Sequence, residues 1–257
     1  MISKFWNRLK RIFSLGLSIA KAGFKLKNEG TWLGVFWYLL GPILTFFLLL
    51  GIFTDRLGSN IPNYPLYLLL GIILFNYFKK IGDESIKIIR NHQNMVRSIN
   101  FPKESLVISI ILKTLFSHIF EIIILIAFLI FFGISIKGMI FYPLILICLS
   151  IFCFGLALIL SSLEVYFFDL EDIWGFASKL LWLGTPIFYA IEGQTRLEML
   201  NLFNPMFYFI TIARDLIIYT RLPQTWLILG MVGYSILFLI SGIYIFNKLK
   251  NRFSELL

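Results

Sequence analysis

Long apolar runs constrain this chain more than any other feature of its sequence. Residues 31–53, 64–78, 106–133, 139–163, 173–191 and 224–247 are mostly apolar. A helix needs roughly 20 such residues to cross about 30 Å of hydrocarbon, and most of these runs are long enough. Composition agrees: 59% of residues are hydrophobic and 14% are charged, against about 25% charged in an ordinary soluble domain. That much apolar surface has no place inside one aqueous core of 257 residues. The sequence predicts an all-α membrane protein, a single transmembrane domain over residues 1–257 with about six spans. The run at 64–78 is short and is expected to continue as helix through Lys79, Lys80 and Asp83 out of the membrane.

The segments between the runs have characters of their own. In residues 1–27, Lys4, Arg8, Arg11, Lys21 and Lys25 recur at helical spacing, with Phe5, Trp6, Leu9, Ile12 and Phe13 on the opposite face. This predicts an amphipathic helix lying in the membrane interface. A signal peptide is the rival reading, since Ile12–Ala20 is apolar and Ala20-Lys21-Ala22 mimics a cleavage site, but Ser and Gly break the run. Residues 79–105 form a polar connector, and Gly133 to Gly138 a tight turn. Residues 164–172 form a short loop with Glu164, Asp169, Glu171 and Asp172, and Gly184 and Pro186 break the fifth run. Residues 192–223 are polar, then apolar from Met206 to Tyr219 with Arg214 and Asp215 inside. Too short to cross, this region is expected to form a re-entrant or interfacial helical pair on the far side, its irregular backbone covered by protein or facing water.

Charge fixes an expected orientation. With the N-terminus inside, the inner segments 1–30, 79–105, 164–172 and 248–257 hold sixteen Lys or Arg, and the outer segments 54–63, 134–138 and 192–223 hold five. The positive-inside rule then puts both termini in the cytoplasm. The net charge of +9 is read as attraction to anionic lipid, not to nucleic acid.

Several chemistries find no support. No Gly-x-x-x-x-Gly-Lys-Ser/Thr loop exists to cradle nucleotide phosphates, so any ATP-driven motor belongs to another chain. Cys148 and Cys153 lie five residues apart in one helical run and point to different faces. His92 and His118 lack zinc-site spacing. No catalytic, cofactor or metal site is expected. A membrane enzyme or an assembly scaffold is the alternative of another class; its only candidate centre is the loop at 164–172, which has neither nucleophile nor metal-binding His.

Two sets of polar residues inside apolar runs are candidate functional groups. Lys113, His118 and Glu121 lie within the third run, where a charge costs about 2.5–3.5 kcal/mol on insertion scales. Lys113, Ser117 and Glu121 share one face by i, i+4 spacing. They form either a conduit lining or coupling network, or a structural interhelical pair with Lys113 reaching for the interface. Arg214 and Asp215 form either part of an outer gate or a local ion pair.

Short motifs then resemble a known family along nearly the whole chain. Lys25-x-Lys27-x-x-Gly30-Thr31-x-Leu33-Gly34-x-x-Trp37, followed by Pro42, is similar to the lead-in to the first span of type 2 ATP-binding-cassette exporter permeases. Asn94-x-Val96-Arg97 with Phe101-Pro102-Lys103-Glu104 is similar to their connector signature. Val165-x-Phe167-Phe168-Asp169-Leu170 resembles their Phe-Arg-Asp-Ile motif, with Phe168 where the family has Arg. Thr185-Pro186-Ile187-x-Tyr189 and Asn204-Pro205-Met206 resemble the break in the fifth span and the element after it. The likeness is to the polysaccharide branch, which exports lipid-linked O-antigen and teichoic acid; a lipid or drug exporter permease is the alternative within the family. It implies a nucleotide-binding ATPase partner that holds ATP and Mg, a homodimer of this chain, and a bacterial cytoplasmic-membrane location. It also implies that a helix over 88–101 couples to the ATPase, with Arg90, His92, Asn94, Arg97, Phe101 and Pro102 as the contact set.

Overall fold

A computed structural model describes residues 2–28, 36–58, 61–98, 101–191 and 195–256. Every regular element among them is helical. In chain order these are α1 (Ile2–Asn28), α2 (Phe36–Phe53), a π-helical turn (Thr54–Gly58), α3 (Tyr64–Asn91), α4 (Gln93–Ser98) and α5 (Glu104–Phe131). A 3-10 turn (Ile136–Phe141) leads into α6 (Tyr142–Glu164), followed by α7 (Leu170–Gly184), α8 (Thr195–Leu202) and α9 (Pro205–Ile217). The chain ends with α10 (Thr225–Leu249), a 3-10 turn (Lys250–Arg252) and α11 (Phe253–Leu256). Residues 30–34 of the first-span motif lie outside the described residues.

Four helical segments are long and apolar enough to cross a membrane: Tyr64–Asn91, Glu104–Phe131, Ile136–Glu164 and Thr225–Arg252. The other two expected spans are shorter among the described residues. The apolar part of α2, Leu40–Phe53, carries Pro42 within its helix. The fifth run is expected to reach 191, but α7 has 15 residues and stops at Gly184, because Thr185 turns extended (φ −81°, ψ 136°) and Pro186 brings no N–H to continue the ladder. At 1.5 Å per residue it is about 22 Å long.

The central element is α3. Within its apolar window 78% of residues are buried inside the chain, against 17% for α10, which faces outward. Asn63 starts α3 in the left-handed region (φ 55°), and Pro65 occupies its first turn, where a missing N–H costs nothing. As expected, α3 runs without a break past Lys79 and Asp83. It does not continue to 101. His92 leaves helical geometry (φ −113°, ψ 24°), its N–H bonds to Ile89 O and its ring Nδ1 lies 2.9 Å from Ile88 O, so the helix caps itself and α4 starts afresh at Gln93. The single helix expected over 88–101 is therefore two.

Around α3 the other helices pack through small residues, as helices without a hydrophobic drive between them must. α6 and α10 meet at Gly155 and Gly242. A Cβ on Gly155 would lie 2.2 Å from Phe238 O, and one on Gly242 2.3 Å from Gly155 O. Gly82 of α3 accepts the Trp174 ring of α7, whose indole N–H donates to Asp83 Oδ1 at 2.8 Å. Gly16 seats α1 against Ile108 of α5, and Phe24 meets Phe116 edge-on further along the same pair of helices.

The close approach of α6 and α10 is testable. Gly155→Ala and Gly242→Ala should each cost about 1–3 kcal/mol, the usual penalty for overpacking, seen as a lower thermal midpoint in detergent. Gly233→Ala, whose Cβ meets nothing within 4 Å, should leave the midpoint unchanged or raise it.

Candidate functional site

The second half of α3 carries Lys79, Lys80, Asp83, Glu84, Lys87 and Arg90. Two contacts fix where this half lies. Tyr77 OH is 2.7 Å from Ser150 Oγ in the middle of α6, and Arg90 bonds Glu164 at the end of α6. Between those points α6 is apolar apart from Ser161 and Ser162, whose hydroxyls bond within their own helix. The charges on α3 therefore run beside the apolar half of a membrane-length helix. A charge at such depth must find a partner, a protein interior or a wet cavity.

Each of them has a partner. Lys80 Nζ is 2.6 Å from Glu121 Oε1, and Lys113 Nζ is 2.6 Å from Glu84 Oε2, so two bridges join α3 to α5. Lys87 meets Glu171 of α7 at 2.5 Å, and Lys79 meets Asp83 one turn away at 2.5 Å. The Arg90 guanidinium also lies 5.1 Å from the centre of the Phe168 ring. The loop that the sequence leaves wholly acidic thus receives a cation from α3 beside Phe168.

Glu121 and His118 are completely buried. His118 Nδ1 lies 2.7 Å from Glu121 Oε2, and its Nε2 lies 2.7 Å from Tyr142 OH. The chain Lys80–Glu121–His118–Tyr142 thus links α3, α5 and α6. Ser117 stays out of it: its hydroxyl donates to Thr114 O in its own helix. Spacing on α5 predicts that Lys113 and Glu121 pair or face one surface. They are eight residues apart, about 12 Å along a helix, and each reaches across to a different α3 residue instead. Sequence reasoning misses Lys80, Glu84 and Tyr142 as partners, and reads Glu164 only as part of an acidic loop. The available signal lies in the opposite charges on α5, which demand complements, and in Lys80 and Glu84 at i, i+4 spacing.

One face of the ladder stays open. Lys79, Asp83 and Lys87, spaced i, i+4, i+8, keep between 41% and 51% of their side-chain surface exposed, as does Glu171. Glu121, by contrast, keeps 1%.

At the other end of α3, Arg214 organises the break after α7. Its guanidinium donates to Tyr67 O (3.2 and 3.0 Å), Pro186 O (2.6 Å) and Ile187 O (3.0 Å), and it covers the Tyr67 ring at 3.3 Å. Tyr64 and Tyr67 hydroxyls donate to Phe188 O and Tyr189 O at 3.0 and 2.8 Å. Asn204 Nδ2 donates to Thr185 Oγ1 at 2.8 Å while its Oδ1 caps α9 at Met206 N. Two motifs far apart in sequence are joined here. Arg214 and Asp215 do not pair with each other in the side-chain contacts: Asp215 Oδ1 accepts from Arg221 at 2.7 Å. Burial pushes the Asp215 carboxyl above its ordinary range, and Arg221 pulls it back. Arg214, Asp215, Arg221, Tyr67 and Trp226 line a cavity of about 740 Å³ between α3, α8, α9 and α10.

The six residues of the expected coupling set divide. Asn94 and Arg97 are exposed on α4, while Val96 between them is buried. His92 caps α3, Arg90 holds Glu164, Phe101 is buried and Pro102 is partly buried.

Four membrane-length helical segments, joined by ion pairs between α3, α5, α6 and α7, mark a polytopic membrane protein rather than a simple anchor. Residues 17–218 match the ABC-2 type transporter family, and the chain belongs to it. Over the full length of both chains it is 28% identical to the O-antigen export system permease protein RfbA of Klebsiella pneumoniae. A relative of the same name from Myxococcus xanthus is 22% identical over 93% of this chain and 94% of its own length.

Two measurements probe these sites. In equilibrium unfolding from mixed micelles, Lys80→Met should destabilise more than Lys80→Met with Glu121→Gln, because the single change strands a buried carboxylate; the coupling should be about 0.5–3 kcal/mol. Arg214→Lys removes the fork that bridges three carbonyls, and each orphaned carbonyl costs about 1–3 kcal/mol. That variant should show a lower thermal midpoint and faster proteolysis near residues 185–189.

Proposed function

We propose that this chain is the membrane subunit of an ATP-driven exporter that moves a lipid-linked polysaccharide, of O-antigen or teichoic acid type, across the bacterial cytoplasmic membrane. Two copies enclose the conduit, α2 and α7 complete six spans in each, α1 lies in the interface, and α8 and α9 form the outer re-entrant pair. Both termini are cytoplasmic. A nucleotide-binding ATPase partner, implied by the family, carries ATP and Mg and docks on α4.

The observation that carries this reading is the open stripe of Lys79, Asp83 and Lys87. Half-exposed charged side chains at this inner end of α3 need water or a polar cargo beside them, which suits the inner mouth of a conduit. Gly175 and Gly184 on α7, and Gly41 and Gly51 on α2, face open space, leaving room for the close helix contact that a second copy would make. The outer cavity offers aromatic faces beside carboxylate and guanidinium groups, a lining that suits sugar rings and hydroxyls. The names of the full-length relatives favour a polysaccharide over a lipid or drug. An enzyme centre at 164–172 is disfavoured, because Glu164 and Glu171 are already bonded to Arg90 and Lys87.

Arg97→Glu tests the docking role. It reverses an exposed charge on α4, and a like-charge contact at an interface costs several kcal/mol. The variant should still insert and dimerise but lose at least about tenfold in ATPase co-purification and lose surface glycan. Retention of both, with no crosslink from residues 93–98 to the ATPase, would overturn the assignment.

A further inference from the structure

We propose that an open pocket of about 800 Å³, formed by the start of α1, the start of α5 and the end of α10, holds the phosphate of an anionic phospholipid headgroup. Its position comes first. The span Glu104–Phe131 begins here and the span Thr225–Arg252 ends here, each 28 residues long. Such helices are about 42 Å long and overrun a hydrocarbon layer of about 30 Å, so their ends lie among headgroups.

Its charge comes second. Arg11, Lys103 and Lys250 line the pocket together with one acid, Glu104. Lys250 already engages that acid: its Nζ donates to Glu104 Oε1 at 2.7 Å and to Asn247 Oδ1 at 2.6 Å. Lys103 Nζ donates to the backbone carbonyl of Lys250 at 2.8 Å and lies 5.4 Å from the Phe253 ring centre. Among the described residues, neither Lys103 nor Arg11 has a carboxylate at ion-pair distance. Burial, and the Lys250 ammonium beside it, hold the Lys103 ammonium below the usual lysine range. The pocket is short of negative charge, and a phosphodiester anion supplies it.

Its walls separate a lipid from a free anion. Phe101 and Pro102 form an apolar side of the pocket. A headgroup tethered to acyl chains uses this side and the two span ends beside it, and inorganic phosphate does not. Basic pockets between membrane helices are a recurrent solution for anionic headgroups. Phe101 and Pro102 also connect α4 to α5, so an occupant touches the connector. That consequence rests on the docking role proposed for α4, whereas headgroup binding does not.

The test uses the full chain in nonionic detergent, with the thermal midpoint as readout. Dioctanoyl phosphatidylglycerol, the phosphatidylcholine of the same chains, and inorganic phosphate are titrated separately. Phosphatidylglycerol should raise the midpoint at a concentration about tenfold below phosphatidylcholine, and inorganic phosphate should give no comparable protection. Arg11→Gln, an exposed residue whose loss leaves the packing intact, and Lys103→Gln should each weaken the phosphatidylglycerol effect about fivefold. Arg11→Lys and Arg252→Gln should keep it. Equal protection by the two lipids, protection by inorganic phosphate at the same concentration, or an unchanged phosphatidylglycerol response in both glutamine variants overturns the proposal.

Discussion

A charge that runs beside lipid-length helices must be met by another charge, and this requirement organises the half of the molecule around the end of α3. α3 carries six ionisable groups in the twelve residues from Lys79 to Arg90. Their partners are distributed: Glu121 and Lys113 on α5, Glu164 on α6, Glu171 on α7. Ion pairs of this kind add little net stability over a well-packed apolar contact, but losing one partner is costly. They therefore act mainly as specification. Each pair fixes the rotation of α3 against one neighbour, and together they leave it a single setting among α5, α6 and α7.

The half around the start of α3 solves the same problem for backbone rather than side chains. Where α7 stops at Gly184, the following carbonyls have no helical partner. In a membrane environment such groups must be satisfied inside the protein. Arg214 takes the carbonyls of Pro186 and Ile187, and Tyr64 and Tyr67 take those of Phe188 and Tyr189. A fully buried guanidinium is tolerable because its donors are used and because the Tyr67 ring covers its face. This arrangement explains a buried Arg in α9 whose guanidinium bonds backbone carbonyls while the neighbouring Asp215 bonds Arg221.

What is legible in the sequence follows from what each signal depends on. Apolar run length depends only on local composition, so the runs themselves place α3, α5, α6 and α10, and Pro186 marks the end of α7. Positions set by tertiary partners are hidden. Lys113 and Glu121 read as a pair because spacing on one helix is visible, whereas the charges that bind them lie across a helix packing that spacing does not encode. The break at His92 is also hidden: no Gly or Pro marks it, and its cause is a side chain returning to Ile88 O. The motifs at Thr185 and Asn204 are each recognisable, but their hydrogen bond is a property of the fold alone.

These two halves are joined by one uninterrupted helix. Tyr67, whose carbonyl accepts from Arg214, and Asn91, where α3 ends, are 24 residues apart, about 36 Å along the axis. No Pro interrupts α3 after its first turn, and its two glycines are closed in by Ile187, Arg214 and Trp174. A kink needs Pro, a bulge or an inserted group, and α3 offers none of them along this stretch. Under the proposed docking on α4, a displacement there moves α3 as a rigid bar. The load passes to α5, α6 and α7 through the ladder and to the Thr185–Tyr189 segment through Arg214. The stretch that can yield is therefore the extended chain after α7, where the backbone is held by side-chain donors instead of by a helical ladder, and that stretch borders the cavity lined by Arg214.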